Sequence, residues 1–211
     1  PNWPAFQALS KGQLSWLDGQ LNVNFTSQLP PYISSLNGQY TWHADNADHQ
    51  LSVKVEKVNL PPLMPQLNQF KNASGLPGLL LVNVTSGLAN YEADWHWNSK
   101  QLAGIQKINY SEVDASSAYL NIKGLTGQSD FNYSHNRSQN KQNGIINGTI
   151  LGQHQVKADH VSWAPDKGKS LLNSEVTFST EGWSSMQYKI EQINAGWLGG
   201  RAVGTAVLIL A

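Results

Sequence analysis

Gly196-Trp197-Leu198-Gly199-Gly200-Arg201 leads into Ala202-Val203-Gly204-Thr205-Ala206-Val207-Leu208-Ile209-Leu210, a double-glycine turn followed by a strand apolar at nearly every position. A strand with two apolar faces needs nonpolar contact on each side, and as the last strand of the sequence it presents an open edge. Working back from it, period-2 alternation dominates, the signature of half-buried strands. Leu14 and Trp16 lead to Leu21, Val23 and Phe25 across Asp18-Gly19, a two-residue hairpin signal. Tyr40, Trp42 and Ala44 share one strand face, and Asp45-Asn46-Ala47-Asp48 turns that strand into Leu51, Val53 and Val55.

Leu60 to Phe70 breaks the alternation. Its prolines forbid central-strand pairing, while Leu63, Leu67 and Phe70 fall at helical spacing, so one short amphipathic helix is expected as a plug over a sheet end. Asn72 to Gly78 reads as a loop and the best internal boundary, dividing residues 1–78 from 79–211, unless the two form one continuous domain. Beyond it, Leu79–Val84 reads as a buried strand and Ala89–Trp97 as the next. Further candidates are Gln106–Tyr110, Ala118–Ile122, Gln128–Tyr133, Gly144–Leu151, Gln155–Trp163, Leu171–Ser179 and Met186–Ile193. Ser134–Asn143 reads as an exposed, mobile loop.

Composition narrows the function. The 211 residues carry 14 basic and 14 acidic side chains, which gives no basic field for nucleic acid or anionic headgroups. Charged residues are 13%, about half the ~25% of an average chain, and Asn, Gln, Ser and Thr replace them. Such neutral polar side chains suit strands and turns better than exposed helices. Without cysteine there are no disulfides and no Cys-based zinc sites, which fits a bacterial envelope protein. Asn-x-Ser/Thr triplets begin at Asn24, Asn72, Asn83, Asn109, Asn132, Asn136 and Asn147. Chance in an Asn- and Ser-rich sequence explains them better than glycosylation. No run approaches the ~20 apolar residues of a membrane-spanning helix, and no signal-peptide pattern opens the sequence. The start at Pro1 is read as a mature or excised piece, with any anchor or export signal outside it.

No catalytic motif is visible. His43, His49, His96, His135, His154 and His160 are scattered, and no nucleophile elbow, His-Glu-x-x-His helix or phosphate loop occurs. Glu92 and Asp94 share a strand face, but two acids there read as the polar side opposite Ala93 and Trp95. His43, Asp45, Asp48 and His49 bring metal-friendly ligand types to a hairpin tip, where ordinary turn chemistry explains them equally. His154 and His160 are expected to be exposed. The expectation is therefore no enzyme, no metal and no cofactor. Trp95 and Trp97, two residues apart on one face, could fill a core, stack on a sugar or bracket an acyl chain.

Residues 87–209 carry a resemblance. An opening strand from Gly87 to Trp97 precedes Ile108 to Ile122. Gly124-Leu125-Thr126-Gly127 follows as a glycine turn, then Ile150-Leu151-Gly152 before a new strand, and Leu198-Gly199-Gly200-Arg201 closes into the apolar run. This order resembles the C-terminal region of the YdbH family, AsmA-like proteins of the Gram-negative envelope related to TamB. The motifs are soft and cover a little over half the chain. The resemblance implies a mainly β fold, a long curved antiparallel sheet forming an open hydrophobic groove (a β-taco) with one short helix. It further implies phospholipid transport through the periplasm between inner and outer membranes, with a small outer-membrane lipoprotein (YnbE-like) pairing at the C-terminal sheet edge. The inner-membrane anchor would lie outside this fragment.

On that expectation the groove-lining, lipid-binding candidates are Val23, Phe25, Trp42, Val53, Trp95, Trp97, Leu120, Ile122, Val176, Phe178, Ile190, Val203, Val207 and Ile209. A register error of one residue would exchange the whole set for the opposite face. The alternatives are a carbohydrate-binding or adhesin-type β-sandwich with a Trp platform, and an assembly component of a secretion system.

Overall fold

The computed structural model describes residues 8–65, 83–117, 120–136, 148–163, 169–181, 186–197 and 200–210. These form strands β1 (Leu9–Leu17), β2 (Gln20–Leu29), β3 (Ile33–His43), β4 (Asp48–Asn59), β5 (Asn83–Trp97) and β6 (Gln101–Ser116). They continue as β7 (Leu120–Asn136), β8 (Gly148–Trp163), β9 (Lys169–Glu181), β10 (Met186–Trp197) and β11 (Gly200–Leu210). All belong to one 11-stranded antiparallel sheet whose spatial order is the chain order, an open meander with β1 and β11 at its two edges. The expected open, mainly β architecture is thus the observed one. Strands on either side of the expected 78/79 boundary pair directly, β4 with β5, so the sheet runs through it unbroken.

The short hairpins form where the sequence places them. Asp18 and Gly19 both take positive φ (49° and 76°), as a two-residue turn matched to strand twist requires. At the second tip Asp45 Oδ1 accepts from Asn46 N, and Asn46 Oδ1 accepts from Asp48 N, both at 3.0 Å. A helical segment begins at residue 60 and is described to residue 65; the rest of the expected helix, the 72–78 loop and residues 79–82 lie outside the described residues. The first three residues of the exposed loop expected from Ser134 are strand, because β7 runs on to Asn136, and its remainder also lies outside the described residues.

Several expected strand breaks are not breaks. Ala89–Trp97 joins Asn83 and Val84 in the single strand β5, and the described part of Ala118–Ile122, from Leu120, merges with Gln128–Tyr133 into β7. The described part of Gly144–Leu151, from Gly148, likewise merges with Gln155–Trp163 into β8. The glycines at these places sit inside strands. Gly152 pairs with Phe131 in mid-ladder, while Gly87 (φ 116°) and Gly124 (φ 63°) accompany bends. Register shifts fall at Val55/Val58, Val84/Ser86/Leu88 and Tyr110/Val113/Ala115, with Lys57 and Glu112 at positive φ. Each extra residue bends its strand and tightens the twist.

Polar side chains hold this line of bulges. Asn90 Oδ1 accepts from Lys57 N at 2.8 Å, Ser86 Oγ from Asp114 N at 3.2 Å, and Asp114 Oδ1 from Gly124 N at 2.8 Å. Backbone donors freed from the ladder are thereby satisfied. Inside the bend the apolar residues gather. Val55, Val58 and Ala89 pack with Leu36, Ile108, Leu60 and Leu63, and Val84, Val113 and Ala115 pack with Leu60, Met64 and Leu125. The helical segment therefore covers the apolar face at the bulge line, as the expected plug would.

Candidate functional site

Opposed residues of an antiparallel pair share a face, so the register sorts the side chains into rows. Starting at the Asp18-Gly19 hairpin end, the first apolar-face row is Trp16, Leu21, Trp42, His49, Trp97, Leu102 and His135. The next is Leu14, Val23, Tyr40, Leu51, Trp95, Gly104 and Tyr133, followed by Gly12, Phe25, Gly38, Val53, Ala93, Gln106 and Phe131. Rings lie down over the glycines of these rows. A Cβ on Gly38 would meet the Phe25 ring, and one on Gly104 would fall 2.3 Å from Trp95 Cε3.

The first row is a run of stacked rings. His49 lies 5.0 Å from Trp97 with 4° between planes and 6.3 Å from Trp42, and Tyr40 stacks on Trp97 at 6.1 Å. Trp16 meets Trp42 at 5.7 Å. Polar atoms punctuate the stack. The Tyr40 hydroxyl and His49 Nδ1 are hydrogen-bonded at 2.7 Å, while the indole N–H of Trp42 is buried without an acceptor. Leu51, Trp95, Trp97 and Leu102 border an open, mainly apolar hollow of about 340 Å³. Over β1 the face is bare: Leu14 is 70% and Trp16 56% exposed.

All but three of the expected groove residues belong to rows of this face. Val23, Phe25, Trp42, Val53, Trp95 and Trp97 lie in its first three rows. Ile122 pairs with Ala115, Leu120 stands two residues before it on β7, and Val176 pairs with Val156. Phe178 pairs with His154 and Ile190 with Phe178. Val203, Val207 and Ile209 take register positions in the opposite rows, with Asn194, Lys189 and Gln187. Val203 is 73% exposed. An all-apolar strand has no alternation from which to read its facing, and the shift between Ile190 and Ile193 resets the count. Tyr40, Leu51, Leu102, Phe131 and Tyr133 share the apolar rows and lie outside the expected lining, although Tyr40 alternates in step with Trp42 and Leu51 with Val53.

The opposite face is polar and encloses the larger hollow. Lys11, Thr26, Asn37, Lys54 and Glu92 form one row and Gln13, Asn24, Gln39, Ser52 and Asp94 the next; these rows, with Gly12, Phe25, Gly38, Val53 and Ala93 between them, border a cavity of about 940 Å³. Lys54 Nζ reaches Glu56 at 3.1 Å and Glu92 at 3.6 Å, and the Ser52 hydroxyl donates to Asp94. Strand twist lets a sheet be hollow on both faces along different directions.

The histidines separate as well. His154, expected to be exposed, is only 7% exposed: its Nδ1 lies 2.8 Å from Ser129 Oγ and its ring meets Phe131 edge-on at 5.0 Å. Burial holds its pKa below the ordinary histidine value, partly opposed by the Asp130 carboxylate. The tip residues do not converge on a metal. His49 is turned into the aromatic stack, while Asp48 is bonded to His96 Nε2 at 2.6 Å. Among the described residues no cluster of three or more acidic or histidine ligands occurs. Glu92 and Asp94 stand on the polar face, each bonded to a neighbour. Compared with family models, curated proteins and solved structures, the chain matches none.

Proposed function

We propose that this chain is a periplasmic β-groove segment of an intermembrane phospholipid-transport protein, shielding acyl chains between the inner and outer membranes. One observation carries the reading: an apolar face of aromatic and aliphatic rows runs across an open sheet, and every described strand belongs to that same sheet. Hydrocarbon transfer from water is worth roughly 0.8 kcal/mol per CH₂, so a bare acyl chain cannot cross an aqueous gap. A continuous apolar wall lets it move with little change in energy per step. The resemblance to YdbH-type proteins points the same way. The reading assigns no catalysis to the chain, and it places the membrane anchor in segments outside this sequence.

Among the described residues β11 pairs only with β10, and its other edge suits strand addition by a small outer-membrane lipoprotein. Val207→Pro is expected to abolish that assembly; assembly persisting unchanged removes the partner from the reading. For the cargo, native mass spectrometry of protein purified without detergent is expected to show bound phospholipid. Protein that stays lipid-free after incubation with phospholipid vesicles overturns the transport reading.

The polar hollow favours a second reading, a carbohydrate-binding module. Its amides and carboxylates suit a hydroxyl-rich ligand, whereas the two-sheet core of an adhesin sandwich is not what the described strands form. A glycan-array signal lost in Asn24→Ala would favour this alternative.

A further inference from the structure

Resting on the transport reading, we propose that the lipid lies along the strands, its headgroup at the hairpin lip lined by Trp16, Trp42, His49 and Trp97 and its chain ends at the line of bulges. The groove would then have one headgroup lip and one closed side.

Three observations support this polarity. First, the apolar face is graded. At the hairpin end its side chains are amphipathic, with indole N–H, phenol and imidazole groups on large apolar rings. Such residues settle at the boundary between hydrocarbon and water. Toward the bulges aliphatic side chains gather over β3–β6, Val53, Leu36, Val55, Ile108, Val58 and Ala89, with Tyr91 among them. Second, the aliphatic end is stoppered. Leu60 and Leu63 of the helical segment pack on Val55, Val58 and Ala89 and cover the apolar face there.

Third, the distance fits. From Trp97 to Tyr91 six steps at ~3.3 Å give about 20 Å of strand. One leaflet of a bilayer supplies about 15 Å of hydrocarbon, half of a ~30 Å core. An acyl chain with its ester region level with Trp97 therefore ends before the packed cluster. The buried, acceptor-free indole N–H of Trp42 stands at the lip, where a lipid ester or phosphate oxygen could accept from it after a small ring movement.

The absence of native cysteine makes the test direct. Leu102 and Ile108 lie on one face of β6, the first beside Trp97 and the second in the Val55 cluster. Leu102→Cys and Ile108→Cys, each labelled with a small fluorophore, are mixed with phospholipid carrying a nitroxide near the glycerol or at the chain end. Cooperative melting checks each fold, and Gln106→Cys replaces an Ile108 variant that does not fold. The expected result is crossed quenching, with the Leu102 label quenched at least twofold more by the glycerol-proximal nitroxide and the inner label by the terminal one. Equal or reversed quenching overturns the polarity while leaving a lipid site in place. No quenching at either position by either lipid overturns the transport reading itself.

Discussion

Two rows of the same five strands, one residue apart, show opposite chemistry. Lys11, Thr26, Asn37, Lys54 and Glu92 make a charged and polar row, while Gly12, Phe25, Gly38, Val53 and Ala93 make part of the apolar face. The backbone is shared, so neither propensity nor topology separates them. What differs is which side chains the bend and the helical segment withdraw from water. Val55 and Ala93 are 8% and 4% exposed, and their neighbours Lys54 and Asp94 face solvent. A single sheet can in this way hold an apolar ligand on one side and remain soluble through the other.

The contrast is broken most severely by placing a charge on the oily side. Val55→Asp buries a carboxylate among Val58, Ala89 and Leu36, and is expected to abolish cooperative unfolding, a loss of more than ~4 kcal/mol. Gln39→Glu, on the polar face, is expected to change stability by less than ~0.5 kcal/mol. Urea titration of both variants checks the pair, and similar losses would dissolve the distinction. Next comes the bend that builds the apolar cluster. At Gly87, φ is 116° and a Cβ would lie 2.6 Å from the Val113 Cα, so Gly87→Ala combines backbone strain with a main-chain clash. A loss of about 3 kcal/mol is expected by the same titration.

A smaller effect follows from His154, a titratable group on the apolar side. Its folded pKa lies below the unfolded value of about 6.5, so between the two the unfolded chain binds more protons. Stability attributable to His154 is complete above pH ~6.5 and falls as pH drops from there toward the folded pKa. Melting temperature against pH should show this decline, and His154→Gln should flatten it. The smallest effect is expected from Lys54→Met. The ammonium is held protonated by its hydrogen bond to Glu56 and the charges of Glu56 and Glu92, yet its side chain is about half exposed. No measurable change in melting temperature is expected, because solvent screens such pairs.

Much of the sheet was legible because its signals are local. Asp18-Gly19 and the 45–48 tip specify hairpins by turn chemistry alone, and alternation marks the Trp95/Trp97 face. Strand length was not legible. Gly124 reads as a turn, and strand starts were expected at Gly87 and after Gly152, because glycine is equally at home in a turn and in a bulged or crowded strand, and only cross-strand pairing decides. The facing of β11 was hidden for a related reason: a two-sided apolar strand carries no phase, and the upstream bulges set it. His154 looked exposed because its partners Ser129 and Phe131 sit on β7, more than twenty residues away in sequence.

The central claim is that acyl chains occupy the face bearing Trp95 and Trp97. Intrinsic tryptophan fluorescence during titration with vesicles of phospholipid brominated on its acyl chains tests it most directly. Saturable quenching, much weakened in Trp95→Phe/Trp97→Phe protein, is the expected result. Fluorescence that stays unchanged up to saturating lipid would contradict the account.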